Sequence, residues 1–92
     1  MSETPEARLK RLTMRSWRRG MREVDLVLGP FAEANLHDMS DEDLERYEHL
    51  LSQNDQDIYA WITGAAQAPA ELSTQVSKIV DFLSVERGMT FN

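Results

Sequence analysis

Apolar side chains recur every three or four positions along this chain, and no segment shows the strict alternation of a half-buried β-strand. That spacing is typical of successive amphipathic helices. The first helix is predicted over roughly residues 6–18, and its inward positions are Leu9, Leu12, Ser16 and Trp17. A second helix follows Gly20, with its apolar face at Met21, Val24, Val27, Leu28 and Phe31. Gly29-Pro30 falls inside it, where the proline predicts either a kink or the first residue of a new turn.

Short polar segments separate these two helices from three further ones. Residues 35–39 predict a loop, and Ser40 with three acidic residues after it predicts the start of a third helix. Asn54 predicts the cap of a fourth helix that ends at Gly64, and Pro69 predicts the first residue of the last helix. The predicted inward positions of these three helices are Leu44, Tyr47, Leu50, Leu51, Ile58, Trp61, Ile62, Leu72, Val76, Ile79, Val80 and Leu83.

Together these elements predict an all-α fold, a compact single-domain bundle of about five short helices. The chain has 92 residues, which is enough for one core but too few for two, so residues 1–92 are predicted to form one domain. Residues 1–7 and 86–92 are expected to be flexible tails. No stretch approaches the roughly 20 apolar residues that span a bilayer, so we expect no direct membrane insertion.

The cellular location is predicted from the basic N-terminal segment, residues 1–22. It lacks the apolar core of a secretory signal, and its Arg-rich run is only loosely similar to a mitochondrial transit peptide because Glu3 and Glu6 precede that run. We therefore expect a bacterial cytoplasmic protein, favour the mitochondrial matrix less, and expect a monomer when the protein is free.

Charge is divided unevenly along the chain. The formal net charge is −6, yet residues 1–22 hold seven Lys or Arg and two Glu, a net +5, whereas residues 23–92 hold three basic and fourteen acidic residues, a net −11. A general affinity for nucleic acid requires a broad basic surface, which the acidic remainder of the chain disfavours. The charge distribution leaves open a small basic site near the N-terminus.

The residue types exclude several kinds of active site. The chain has no cysteine, and its two histidines, His37 and His49, lie in no metal-binding pattern. Acidic pairs such as Asp55 with Asp57 lack the glycine and glutamate that a calcium loop requires, which favours helix N-terminal acids on a solvated face. Ser16 lies among basic residues with no histidine nearby in the sequence to act as its base. We therefore predict no metal site and no catalytic residue.

The remaining candidate site is the segment around Gly20. Because glycine has no Cβ, the backbone of a partner could approach it closely. Arg19 and Arg22 could bind carboxylates, phosphates or carbonyls through planar guanidinium groups, Glu23 could orient one of them, and Met21 could offer an apolar contact. The alternatives are a helix break flanked by solvated charges, and an Arg-rich helix that binds nucleic acid.

The sequence Trp17-Arg18-Arg19-Gly20-Met21-Arg22-Glu23 resembles the Arg-Gly-x-x-Glu signature of the succinate dehydrogenase flavinylation factors. The resemblance covers roughly Leu9 to Gly64, and it continues in the family's order and spacing through Tyr47-Glu48-x-Leu50-Leu51 and Asn54-Asp55-x-Asp57-Ile58-Tyr59-x-Trp61-Ile62. Gln56 departs from the proline that the family often has. Members of this family are small five-helix assembly factors, so the resemblance implies a protein that is not an enzyme.

The resemblance also implies a partner and a binding site. Family members bind the flavoprotein subunit of succinate dehydrogenase, and in many bacteria that of fumarate reductase, and promote covalent attachment of FAD to a histidine of that subunit. The FAD is thus the partner's, none is bound stably by this chain, and no cofactor-binding residue is assigned. The implied partner-binding residues are Arg19, Gly20 and Glu23, with surface neighbours Arg11, Arg15, Met21, Arg22 and Asp25. The alternative is a small helical nucleic-acid-binding or regulatory module that uses the basic N-terminal segment.

Overall fold

Five α-helices form the fold of this chain in a computed structural model, which describes residues 3–86 and 88. The helices are α1 (Pro5–Trp17), α2 (Arg22–Asn35), α3 (Asp41–Leu51), α4 (Asp55–Thr63) and α5 (Ser73–Glu86). Two short 3-10 helices cover Leu36–Asp38 and Ala70–Leu72, and no strand occurs in the described residues. The radius of gyration is 12.6 Å, close to the value of about 12 Å expected for a compact chain of this length. The predicted all-α bundle of five helices is confirmed.

Local capping groups set most of the helix ends. The side chains of Ser40 and Asn54 accept hydrogen bonds from backbone N–H groups in the first turns of α3 and α4, as predicted. Gly64 ends α4 with a φ of 83°, a left-handed conformation that glycine adopts without steric cost. Thr4 caps α1 in the same way as Ser40 caps α3, and the sequence prediction missed it.

Several element boundaries differ from the prediction. The first helix begins at Pro5, so residues 5–7 belong to α1 rather than to a tail. The predicted loop at 35–39 contains the first 3-10 helix, and Pro69 precedes the second 3-10 helix rather than opening α5. Pro30 starts no new helix, because α2 runs through it without interruption. The predicted tail at 86–92 lies outside the described residues apart from the end of α5 and Gly88.

The core is built from the inward faces of all five helices. Tyr47 and Phe31 are its largest fully buried side chains, and their ring centroids lie 5.7 Å apart. Most of the predicted inward positions are buried, whereas Leu9, Met21, Trp61 and Val80 pack only partly buried against the core. The buried apolar residues are Leu12, Val24, Val27, Leu28, Phe31, Ala32, Leu36, Leu44, Tyr47, Leu50, Leu51, Ile58, Ile62, Leu72, Val76, Ile79 and Leu83.

Two buried polar side chains interrupt this apolar core. The Ser16 hydroxyl donates to the Leu12 carbonyl at 2.8 Å and lies 2.6 Å from the Tyr47 hydroxyl, so Tyr47 donates the second bond. Burial raises the pKa of Tyr47 well above its ordinary value, which keeps the hydroxyl protonated as a donor. The amide of Gln75 is also buried, without a hydrogen-bond partner in the described part of the chain. Ser16 is thus part of the core, and the periodicity of α5 did not predict Gln75.

Gly29 of α2 lies directly against the Trp17 ring of α1. A Cβ atom at this position would lie 2.2 Å from Cδ2 of the Trp17 indole, a distance that no real packing allows. Trp17 covers the glycine, and its Nε1–H donates to Glu33 Oε2 at 2.7 Å. Trp17 remains 37% exposed, so it packs along the edge of the α1–α2 interface rather than inside the core.

This contact predicts that Gly29→Ala destabilises the protein, although alanine is the better helix former by about 1 kcal/mol. The methyl group would force Trp17 off α2, at a cost of about 1–3 kcal/mol in the free energy of unfolding measured with urea. The cost should shrink in a Trp17→Ala background, where no ring opposes the methyl group.

Gly64→Ala provides the matched control. This substitution should lower the free energy of unfolding by about 1 kcal/mol, because alanine is strained in the left-handed conformation of Gly64. The Trp17→Ala background should not change that loss. A Gly29→Ala variant as stable as the parent protein would contradict the packing described here.

Candidate partner-binding site

The segment that joins α1 to α2 carries the centre of the predicted site. It begins at Arg18, the C-cap of α1, and continues through Arg19 and Gly20 to Met21, the N-cap of α2. Three residues of that sequence approach the N-terminus of α4, more than thirty positions away in the chain. Tertiary contacts to α4 therefore determine the shape of the segment.

One carboxylate makes all of these contacts. Asp55 Oδ1 accepts from Arg19 Nε at 2.8 Å, and Asp55 Oδ2 accepts from the N–H groups of Gly20 at 2.6 Å and Met21 at 3.3 Å. We call these four residues and their hydrogen bonds the Asp55 junction. Asp55 is the first residue of α4, where the helix dipole also favours a negative charge. The expectation that Asp55 lies on a solvated face is wrong, since its side chain is only 14% exposed.

Arg19 faces the protein rather than the solvent. Its side chain is 9% exposed, and its guanidinium also donates to the Gln53 carbonyl at 3.2 Å. Its backbone N–H donates to Asp25 Oδ1 at 2.5 Å, so Asp25 fixes the same segment from the α2 side. The guanidinium of Arg19, which is predicted to bind a partner, donates to Asp55 and Gln53 within the fold. Its role towards a partner stays a prediction. Asp25 likewise has an internal role.

Gly20 is exposed, and its surroundings explain why a side chain is disfavoured there. A Cβ atom would lie 3.1 Å from Asp55 Oδ2, tighter than ordinary van der Waals contact. Its φ is not positive, so the glycine is required by this close approach and not by backbone conformation. Met21 is half-buried against the core. Gly20 thus presents an open stretch of backbone on the surface.

Arg22 and Glu23 begin α2 beside this stretch of backbone. Both are exposed, and neither forms an ion pair with another described residue. The Asp55 junction therefore fixes a segment in which the exposed Gly20 is followed by an exposed guanidinium and an exposed carboxylate. Within this segment, Gly20, Arg22 and Glu23 are the predicted residues that the geometry leaves available to a partner.

Arg11 and Arg15 lie apart from that surface, on the side of α1 that faces α3. Arg11 donates to Glu48 Oε2 at 2.8 Å and to Glu3 Oε2 at 2.8 Å. Arg15 lies 3.7 Å from the same Glu48 carboxylate. The hydrogen bond from Arg11 lowers the pKa of Glu48, and it lowers the pKa of Glu3 in the same way. Both arginines therefore have a role within the fold, while each remains more than a third exposed.

No group of three or more potential metal ligands occurs among residues 3–86. Within the same range, no helix has the length and apolar character that a membrane span requires.

Comparison with known proteins decides the family. A family model described as "Flavinator of succinate dehydrogenase" matches residues 10–84, which include the whole Asp55 junction and Glu23. The chain belongs to this flavinator family. The predicted resemblance is confirmed, and neither the family nor its relatives support a nucleic-acid-binding or regulatory module.

Curated relatives of this flavinator-family chain are assembly factors by name. Succinate dehydrogenase assembly factor 2, mitochondrial, from Dictyostelium discoideum is 45% identical over 71 residues, which are 77% of this chain and 50% of the relative. Assembly factor 2-B from Drosophila mojavensis is 41% identical over 80 residues, 85% of this chain and 51% of the relative. The chain thus spans about half the length of these relatives. Their names place them in mitochondria, which contradicts the prediction of a bacterial cytoplasmic location.

Asp55 is the residue of this region that the sequence prediction did not single out. The signal was present, because the Asn54-Asp55 sequence belongs to the same resemblance as Arg19-Gly20. What the sequence did not reveal is that these two short motifs contact each other in the flavinator fold.

The pairing of Arg11 with Glu48 predicts a pH-dependent contribution to stability. Because the folded-state pKa of Glu48 is depressed, this contribution is present above the unfolded-state pKa of about 4.3 and is lost as pH falls through the folded-state value. Glu48→Gln should lower the free energy of unfolding at neutral pH by no more than about 1 kcal/mol, since the pair is partly exposed and screened.

Urea unfolding from neutral to acidic pH would measure this effect. The difference between Glu48→Gln and the parent protein should narrow as pH falls. Glu45→Gln, an exposed change on the same helix at a residue without an ion pair in the described residues, should show no such trend. A difference for Glu48→Gln that stays constant with pH would exclude the ion pair as its cause.

Proposed function

We propose that this chain is a non-enzymatic assembly factor for the flavoprotein subunit of succinate dehydrogenase. It binds that subunit and promotes the covalent attachment of FAD to a histidine there. The observation that carries the proposal is the family match over residues 10–84, which includes the exposed Gly20 and Glu23 and the Asp55 junction beneath them. The names of the relatives, succinate dehydrogenase assembly factor 2, support the same partner.

The chain contributes positioning in this proposal, and the chemistry belongs to the flavin and the partner's histidine. A partner loop approaches the open backbone at Gly20, while Arg22 and Glu23 bind polar groups on either side of it. Holding a reacting group in a competent geometry can lower a barrier substantially without any catalytic side chain on the assembly factor. Arg19, Asp55 and Asp25 then act as positioning residues, because they fix the segment that the partner contacts.

The finer parts of the proposal concern the partners and the bound state. FAD stays with the partner subunit, and this chain holds none stably. The free chain is a monomer. We propose the flavoprotein subunit of fumarate reductase as a second client, because the family resemblance implies it. A flavinylation assay with the purified flavoprotein subunit of either enzyme tests both partners.

The direct experiment combines the purified apo-flavoprotein subunit with FAD, with and without this chain. Covalent flavin is read from in-gel fluorescence after denaturation. More covalent flavin in the presence of this chain supports the proposal, whereas equal amounts with and without it would contradict the proposal.

Glu23→Gln should strongly reduce covalent flavin in this assay, because it removes the exposed negative charge at the start of α2. The size of the side chain stays nearly the same, so the variant tests the charge alone. Its free energy of unfolding should stay within about 0.5–1 kcal/mol of the parent value, since only a surface charge near a helix end is lost. Glu45→Gln makes the same chemical change on α3 and should leave covalent flavin at the parent level. Covalent flavin at the parent level with Glu23→Gln would show that Glu23 is not part of the site.

A further inference from the structure

The outward side of α1 forms a second surface that the Gly20 region does not include. Its side chains follow helical spacing on the face opposite the buried Leu12 and Ser16. They line a shallow groove of about 460 Å³. We call this surface the α1 basic face; it consists of Ala7, Lys10, Arg11, Met14, Arg15 and Arg18.

Positive charge on the α1 basic face exceeds what the protein itself neutralises. Four of its six residues are cationic, whereas among the described residues only Glu48 and Glu3 form ion pairs with it, through Arg11 and Arg15. Neither Lys10 nor Arg18 has a carboxylate within ion-pair distance in the described residues. The rest of the chain is strongly acidic, so this face is an isolated positive patch that attracts negative charge.

The centre of the same face is apolar. Met14 is 42% exposed, and it lies between the cationic side chains with Ala7 two helical turns away. Methionine adapts its shape to an apolar partner group and is favoured at protein-binding surfaces. A polyphosphate or a nucleic acid backbone would make no use of it. The combination of an apolar centre and a cationic rim instead matches an amphipathic protein segment whose apolar side chain is flanked by carboxylates.

We propose that the α1 basic face docks an acidic amphipathic segment of the flavoprotein subunit, a placement that rests on the proposed function. An apolar side chain of that segment covers Met14, and its carboxylates pair with Lys10 and Arg18. Arg11 and Arg15 add charge while they remain bound to Glu48. The partner is therefore held at two places, by α1 and by the Gly20 region, and the second contact orients it about the first.

Removal of the two cations without internal partners tests this docking. The double variant Lys10→Gln with Arg18→Gln should raise the Kd for the purified flavoprotein subunit about tenfold or more at about 50 mM NaCl. The increase should become much smaller at about 500 mM NaCl, where exposed charges are screened. Arg46→Gln with Lys78→Gln removes the same charge from α3 and α5, away from α1, and should change the Kd less than about twofold.

The apolar centre is tested by Met14→Gln, which preserves size and removes the apolar contact. It should weaken binding several-fold at both salt concentrations, because burial of apolar surface depends little on ionic strength. Val85→Gln is the matched control, since Val85 is 78% exposed and lies on α5. It should bind as the parent does. Parent-like binding by Met14→Gln would contradict the apolar contact.

The outcomes separate this docking from the function on which it rests. If the parent chain binds the flavoprotein subunit and the Lys10/Arg18 variant binds equally well, the docking is overturned and the proposed function stands. If the parent chain does not bind the subunit at all, both are overturned.

Two further measurements would assign the face to another occupant. One is binding of the parent chain to vesicles of phosphatidylcholine with phosphatidylglycerol, but not to vesicles of phosphatidylcholine alone. Only the Lys10/Arg18 variant would lose this binding. The other is a salt-sensitive dimer in sedimentation that only this variant loses. Either result, with unchanged affinity for the flavoprotein subunit, overturns the proposal.

Discussion

The Asp55 carboxylate is the interaction on which the functional surface depends. It receives one side-chain and two backbone hydrogen bonds from the α1–α2 segment, while it also begins α4. Removing a carboxylate and a guanidinium from water is costly, and an incompletely satisfied pair would destabilise the fold. Here the carboxylate has several donors and a favourable helix terminus. The junction is thus a satisfied polar contact that fixes a loop.

This contact divides the roles within the Arg-Gly-x-x-Glu signature. Arg19 is nearly buried and holds the loop, Gly20 leaves room for Asp55 and exposes backbone, and Glu23 points its charge at solvent from the first turn of α2. The two glycines with close side-chain neighbours, Gly29 and Gly20, also differ in whether they serve internal packing alone or leave backbone exposed. Gly29 admits the Trp17 ring within the fold, whereas Gly20 admits a carboxylate on one side and leaves its other side open. A short signature therefore contains residues that hold the fold together and residues that remain exposed.

The sequence predicted the local features of the fold and missed contacts between distant residues. Helical periodicity identified the inward faces, and the caps at Ser40, Asn54 and Gly64 were predictable because capping involves only neighbouring residues. Arg19 and Asp55 are 36 positions apart, and the close packing of Trp17 on Gly29 depends on how α1 crosses α2. The helical periodicity of the sequence gives no information about either of these contacts. The direction in which Arg19 points likewise required the tertiary structure, and the assignment of these residues to a partner stays a prediction.

Amide hydrogen exchange at Gly20, measured by NMR in the parent and in Asp55→Asn, tests the central claim most directly when combined with the flavinylation assay. If Asp55 holds this segment, Gly20 exchange in the variant is faster by about tenfold or more, since one carboxylate oxygen becomes an NH₂ that cannot accept. Core amides such as that of Ile79 should keep their protection, and covalent flavin should fall sharply. Unchanged exchange at Gly20, or faster exchange with full flavinylation, would contradict the claim that Asp55 holds this segment in its active shape.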